Sequence, residues 1–492
     1  MVIDEVRKLV KHSGIYGLGV IASKAIGFLM IPVYTRFLVP RDYGILELLD
    51  LLVFFATNFA ALGIYGAVFR FYAAYDSEDD KKEVISTALF YTAAGSLVVA
   101  AGIITWAPQI GRAVLGSPSF APFVRIVALT FFFSNLCEVP LAYWRAQERS
   151  VLFVSVSLLR AILGATALAF SLAVLKWGVK GVLYANLTTC AISGLTLFGL
   201  VLFRVPKRMV REKLAEMLRY GAPLVISGLA SFILVYSDRL FLRRFGNLTD
   251  VGVYGLGYKL AMIVTLVVSG PFSLTWQWQQ FELAKKENAK DLYPKIQTYQ
   301  FLFTVFVGLT VAVLAKDLLR IVSPASYWGG ARIVPLIVLC YVLEALRSVM
   351  LTGILVRRVT HYLAPIAAIV AFTNLILNYT LISRFLAMGA AVATLISYAV
   401  LLALTYGVAQ RVYFLHYEYG RNAATLGSAV LFYLVSTLFD LPTRYSIGVN
   451  IVLLFLFVLT SIRLLSQEER TMFLQMGSSV TRRLREALAR AE

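Results

Sequence analysis

Charge is scarce in this chain, and acid is scarcer than base. Only 15% of its 492 residues are charged, with 27 Asp and Glu against 46 Lys and Arg. A soluble domain carries about 25%, so a water-facing globule is excluded. Cysteine and histidine are nearly missing, at three residues each. Cys137, Cys190 and Cys340 all fall in apolar runs, which fits buried thiols and argues against a disulfide or metal framework. His12, His361 and His416 are scattered over predicted span ends, so no metal site is expected. A phosphate-binding P-loop, HExxH and a Gly-rich dinucleotide motif are all absent. Neither an enzyme nor a cofactor is indicated. The N-terminal "MVIDEVRKLVKHSG" lacks a small-residue cleavage site and leads into a run too long for a secretory signal, so the first span reads as a retained anchor.

What the chain has instead is apolar length. It is 59% hydrophobic, with runs of roughly 20 residues, enough to cross a bilayer, recurring from Gly14 almost to Ser466. The class is an all-α polytopic membrane protein. Breaks at charge, Gly and Pro give about fourteen spans: 14–38, 43–69, 84–108, 120–143, 151–175, 181–203, 219–242, 251–275, 293–315, 331–356, 361–383, 388–410, 422–440 and 445–466. About 28 of the Lys and Arg fall with the termini on one side, including "RVPKRMVREK" and "RRLREALAR", about 10 on the other and about 8 inside spans. The excess of base marks the cytoplasmic side, so both termini are expected there, and the charge of +19 needs no nucleic acid to explain it. All six tryptophans lie at or just past predicted span ends, where an amphipathic ring prefers the interface. The tail 467–492 reads as a basic amphipathic surface helix.

The spans repeat. "YGLGVIASKAIGFLMIPVYTRFLVPRDYGILELL" from Tyr16 and "YGAPLVISGLASFILVYSDRLFLRRFGNLTDVGVYGLGYKL" from Tyr220 share an opening Tyr-Gly. Both then reach a polar-plus-Arg pair, Thr35-Arg36 and Asp238-Arg239, and an acid shortly before a glycine, Asp42 with Gly44 and Asp250 with Gly252. Gly44 and Gly252 are 208 residues apart, and so are Gly181 and Gly389, which open a second matching pair. Two six-span lobes follow, and an even repeat inserts in parallel, with its pseudo-twofold along the membrane normal. The predicted organisation is an N-terminal lobe 1–203, a basic linker 204–218, a C-terminal lobe 219–411, two extra spans 412–466 and the tail 467–492.

With "YTRFLVPRDYGIL", "SYWGGARIVPLIV" and "MGAAVATLISYAV", this pattern resembles the polysaccharide-transporter branch of the multidrug/oligosaccharidyl-lipid/polysaccharide exporter superfamily, the O-antigen and exopolysaccharide flippases. The resemblance implies a V-shaped pair of lobes, a cationic central cavity, and alternating access that moves a polyprenyl-diphosphate-linked glycan from the cytoplasmic to the outer leaflet of the cell membrane. Implied partners are that lipid-linked glycan, membrane lipids, H+ or Na+ as a coupling ion, and glycan polymerase or glycosyltransferase machinery. A lipid II flippase is the alternative, and a cation-coupled multidrug antiporter a more distant one.

Charge inside the spans marks where function is expected. A cation at the bilayer centre costs about 2.5–3.5 kcal/mol on insertion scales, so it snorkels, pairs, or faces water. Lys24, Arg160, Lys259 and Arg347 sit deep and are the residues expected to meet an anionic headgroup. Each has a structural alternative, such as a carboxylate or carbonyl across the lobe; for Arg347 it is Glu344 at i−3. Arg36, Arg125, Arg239 and Arg332 lie near span ends, where snorkelling suffices. Asp50, Glu47, Glu138 and Glu344 are the possible coupling carboxylates. A direct Lys24–Asp50 pair is disfavoured by a depth difference of roughly 9 Å. Pro32, Pro223 and Pro271 each remove a helical hydrogen bond. Span 1, which holds both Lys24 and Pro32, is the expected gate unless its kink is static.

Overall fold

The computed structural model describes Gly19, residues 22–438 and 442–464, Gln467 and Glu469. Gly14, Gly17 and the start of span 1 lie outside the described residues, as does the tail helix apart from Gln467 and Glu469. Among the described residues every regular element is a helix. The main ones are α1 (Ile31–Phe37), α2 (Pro40–Ala61), α3 (Glu78–Thr105), α4 (Ala121–Ala146), α5 (Ser150–Ala169), α6 (Gly178–Leu202) and α7 (Arg211–Phe245). They continue as α8 (Leu248–Ala261), α9 (Ala289–Val322), α10 (Val334–Met350), α11 (Leu363–Val412), α12 (Tyr419–Thr437) and α13 (Thr443–Arg463).

Ten helical stretches among the described residues are long and apolar enough to cross a bilayer, fewer than the fourteen expected. One of the ten holds two expected spans, 361–383 and 388–410, which divide at Leu386, where φ 48° and ψ −125° break the helix. Helices also cover the expected spans 219–242 and 422–440, as α7 and α12. Arg421 and Asn422 in the first turn of α12 dilute its apolar character.

Spans 1 and 8 are interrupted rather than straight. The helix before α1 stops at Met30, and Pro32 sits in the first turn of α1, where a missing N–H costs nothing. Span 8 turns at Met262, widens to a π-helical segment over Thr265–Ser269, and restarts as the helix Gly270–Leu283 with Pro271 in its first turn. Both prolines stand within a turn of these interruptions, and Met30 and Gly270 beside them keep right-handed helical backbone. Pro223 lies within α7, but its side chain lies outside the described residues.

The start of α2 packs on the start of α8. A side chain at Gly44 would collide with the Leu248 carbonyl oxygen and stand 3.0 Å from the Gly252 nitrogen; one at Gly252 would collide with the Pro40 carbonyl oxygen and stand 2.9 Å from the Gly44 nitrogen. Pro40 and Leu248 are 208 apart, as are Gly44 and Gly252. Residue i meets j′ while j meets i′, the signature of a twofold contact. The acids that precede the glycines act at the helix starts. Asp250 accepts from the Asn247 N–H at 3.1 Å, and Asn247 Oδ1 accepts from the Thr249 and Asp250 N–H groups at 2.8 and 3.0 Å, a capping box. Asp42 occupies the first turn of α2.

At the opposite end the backbones meet again. Gly63 has φ 76° and lies so close to Gly221 of α7 that neither could carry a side chain. Here the linker after α6 is fastened to α3. Lys213 contacts Asp80 and Glu83 at 2.7 Å each, Arg208 pairs with Glu83, and the Val210 N–H donates to Thr87 at 3.0 Å. The basic linker is a docked strap, not a loose tether.

Candidate functional site

Beside the α2–α8 contact lies a cavity of about 520 Å3, walled by span 1, the start of α2, α5, α6 and the broken part of span 8. Three cations line it: Lys24, Arg160 and Lys259. Among the described residues, Asp and Glu are missing from its wall. Two helix interruptions also face it, at Met30 in span 1 and at Met262–Leu266 in span 8. Irregular backbone at membrane depth needs a water-filled or protein-lined hollow, and both breaks have one.

Lys259 is bound on one side and open on the other. Its Nζ lies 2.7 Å from Glu47 Oε1 and 4.8 Å from the centre of the Tyr43 ring. Its side chain keeps 39% exposure, whereas that of Glu47 keeps 9%. Glu47 sits over Gly255, where any side chain would strike its Cγ and Cδ at 2.7 and 2.8 Å. Gly255 lies 208 residues after Glu47, so the repeat supplies a vacancy where its first copy places the carboxylate. The pair joins α2 to α8. Lys24 is exposed and Arg160 half-buried; neither has a carboxylate at pairing distance among the described residues.

The structure sends the other expected residues elsewhere. Arg347 forms a two-point contact with Glu344, at 2.7 Å from Nε and 2.5 Å from Nη2, and stands off the cavity wall. Both carry the structural alternative given for them above. Asp50 is exposed on α2, one turn from Glu47. No ion pair among the described residues includes Asp50 or Glu138, and Lys24 and Asp50 are not joined.

Arg239 corrects the sequence reading. It does not snorkel: it is 3% exposed, 2.8 Å from Asp238, 3.7 Å from Glu47 and 4.3 Å from the centre of the Tyr258 ring. Asp238 also accepts from the Tyr254 hydroxyl at 2.5 Å. The chain Asp238–Arg239–Glu47–Lys259 thus leads from the buried bundle to the cavity wall. The pointer was the repeat itself. Where the second copy has Asp238-Arg239, the first has Thr35-Arg36, and there Thr35 is buried, donating to the Val322 carbonyl at 2.5 Å, while Arg36 is exposed. An acid added beside one arginine of a matched pair signals burial. Arg125 and Arg332 are exposed, as snorkelling requires.

A family model described as polysaccharide biosynthesis protein matches residues 9–276, which is more than half of the chain. The chain belongs to the polysaccharide biosynthesis protein family. The matched region ends in the helix after the span 8 break, so it holds every charged residue of the cavity wall. Outside the family model, the chain is 21% identical over 331 residues to protein 1 of the Lsg locus of Haemophilus influenzae, covering 65% of this chain and 78% of that protein. Its fold matches the lipid II flippase MurJ in an inward closed conformation with a TM-score of 0.71 at 12% identity, over 91% of this chain and 98% of that one. It also matches an inward-facing multidrug resistance MATE family transporter, with a TM-score of 0.62 at 16% identity, over 78% and 93%. The chain shares its fold with these two multi-pass membrane proteins.

Proposed function

We propose that this protein is a flippase that carries a polyprenyl-diphosphate-linked oligosaccharide from the cytoplasmic to the outer leaflet of the cell membrane by alternating access, with both termini cytoplasmic. One observation carries the reading: Lys24, Arg160 and Lys259 share one cavity whose wall, among the described residues, has no carboxylate. A diphosphate brings two or more negative charges into a low-dielectric zone. A cation at roughly 4 Å returns about 4 kcal/mol at an effective dielectric near 20. Arg160 offers a two-point fork and the lysines offer point charges. A cationic drug would be repelled from the same wall, which weighs against the multidrug antiporter.

The Lys259–Glu47 pair provides the coupling between headgroup and lobes. A diphosphate drawn to the open side of Lys259 competes with Glu47 for it. Glu47 keeps Arg239, so its release leaves no bare buried charge. The contact that joins α2 to α8 then loosens when the cavity is loaded. The two lobes, 1–203 and 219–411, turn about the paired glycines Gly44 and Gly252, and the breaks at Met30 and Met262 let spans 1 and 8 bend beside the load. Outward movement of an anion across an inside-negative potential is favourable by about 2.3 kcal/mol per charge per 100 mV. Where an ion is exchanged, Asp50 is the carboxylate left unpaired and exposed beside the network.

The test is surface-glycan export in a flippase-null strain, with Lys24→Ala and Lys24→Arg at matched protein levels. The alanine variant is expected to lose export and the arginine variant to keep part of it. Normal export by Lys24→Ala would remove the cavity from the mechanism. A lipid II flippase is the second reading, favoured by the MurJ-like fold. Its substrate also carries a diphosphate, so the two are separated by which null strain the protein rescues.

A further inference from the structure

On the face of the lobe interface away from Lys24, an apolar groove of about 410 Å3 runs between α2, the end of α3 and α7. Its aromatic wall is formed by Phe55, Phe59 and Phe232, with Phe55 and Phe232 ring centres 5.5 Å apart. The groove ends at Ala113, Val114 and Leu240, and those same three residues begin a second hollow of about 520 Å3. This second hollow holds Arg112, Arg243 and Arg244 and, among the described residues, has no acidic residue in its wall. None of the three arginines has a carboxylate at pairing distance among the described residues. Arg243 is fixed in place, donating from Nε to the Leu115 carbonyl at 3.0 Å. Its guanidinium fills the space that a side chain at Gly116, φ 85°, would need. Arg112 and Arg244 are exposed.

An apolar channel that opens into an acid-free cup of three guanidiniums has the outline of one kind of molecule. We propose that groove and cup together form a binding site for an anionic phospholipid, its acyl chains along Phe55, Phe59 and Phe232 and its phosphodiester against Arg112, Arg243 and Arg244. Charge complementarity selects the head, since guanidinium matches phosphate as a fork and a zwitterionic head brings its own cation into the cup. The transported lipid is not the occupant, because α2 stands between. Leu51 and Leu52 of α2 line the groove, while Tyr43 near its start lines the cavity of Lys24. The site does not depend on the identity of the substrate.

The full chain, purified in detergent, would be titrated with phosphatidylglycerol or phosphatidylcholine and retained lipid counted by native mass spectrometry. One saturable phosphatidylglycerol is expected, with phosphatidylcholine about tenfold weaker, as the loss of one charge-assisted contact implies. Arg112→Gln with Arg244→Gln should weaken phosphatidylglycerol about tenfold and leave phosphatidylcholine unchanged. Both arginines are exposed, so the fold should survive, and an unchanged melting temperature checks this. Arg112→Lys with Arg244→Lys should restore most of the retention. Four results would overturn the site: equal retention of the two lipids by the unaltered protein, unchanged retention by the double glutamine variant, loss of retention in Lys24→Ala, or full displacement by inorganic phosphate at about 10 mM. The last would make the cup a phosphate site with an idle groove.

Discussion

The two faces on which the halves of this protein meet are built from matched helices, yet they have opposite chemistry. On the face of spans 1 and 8 both helices are broken, the hollow between them holds Lys24, Arg160 and Lys259, and an ion pair sits at its edge. On the face of spans 2 and 7, Phe54, Phe55 and Phe232 close together in ring contacts, with centres 5.5–6.0 Å apart, and charge appears only at one end. The repeat relates the two faces, yet they diverge in backbone as well as in side chains: spans 1 and 8 are interrupted beside the cavity, whereas α2 and α7 line the groove as continuous helix. On the function proposed above, the first face takes a charged headgroup in passage; on the further proposal, the second holds a lipid that stays. What the faces share is the glycine contact at their common axis.

The strongest test breaks that shared contact. In Gly252→Val a branched side chain is driven into the Pro40 carbonyl, and backbone cannot yield as a side-chain tip would. The expected loss is about 3 kcal/mol or more, seen as failure to accumulate folded protein. Gly27→Ala is the control, since a side chain there meets nothing within 4 Å, and its melting temperature should stay at that of the parent. Folded, exporting Gly252→Val would mean the halves do not depend on this close approach.

Next come the matched arginines. Arg239→Gln leaves Asp238 and Glu47 short of their buried partner, at about 3–5 kcal/mol. Arg36→Gln, at the equivalent but exposed position, should stay within about 0.5 kcal/mol. Thermal unfolding of the two purified variants measures the gap, and equal melting temperatures would erase the distinction drawn between the repeats. Lys259→Ala separates stability from transport. Removing the lysine strands Glu47 with Arg239 alone, so both stability and export should fall. Adding Glu47→Gln should recover the melting temperature but not export. Recovery of both would show that Lys259 serves only Glu47.

Lys24 and Arg160 should behave differently again. With no carboxylate to strand, Lys24→Ala and Arg160→Ala should leave the melting temperature within about 2 °C of the parent, less than 1 kcal/mol produces in a small domain. Export should still fall about tenfold or more. A melting temperature that drops in step with export would assign these cations to packing.

Much of this geometry is legible in the sequence, for physical reasons. Apolar length and the bias of base are imposed by the bilayer, so the class and the spans stand out. Gly44 and Gly252 stand out because a close backbone approach tolerates no other residue, and a constant offset exposes both. Depth along a helix is countable, which is why Lys24, Arg160 and Lys259 could be chosen. Azimuth is not countable without the partner helix. Arg239, near a span end, looked free to reach water, yet its helix turns it inward onto Tyr254 and Tyr258. Glu47 could be placed in depth but not paired, because its partner lies 212 residues away on the other half. The break at Leu386 is legible as well: with no Gly or Pro to mark it, Arg384 divides the spans 361–383 and 388–410 where the backbone leaves the helix.

Arg347 gives the smallest expected effect and the sharpest limit on how far the charged face extends. It is as deep as the other cations, but its guanidinium is occupied by Glu344 on its own helix, one turn back, and the cavity wall does not include it. A partly exposed i,i+3 pair contributes at most about 1 kcal/mol. Arg347→Gln should therefore cost little stability, and export should stay within about twofold of the parent. Adding Glu344→Gln should remove even that deficit, because it abolishes the carboxylate that the first change leaves unpaired. Loss of export in Arg347→Gln at matched protein levels, unrelieved by the second substitution, would mean that the headgroup travels past α10 and that charge is not confined to the face of spans 1 and 8. Depth would then suffice to identify a transport residue, and the pairing seen here would be one state of a path rather than the boundary of the site.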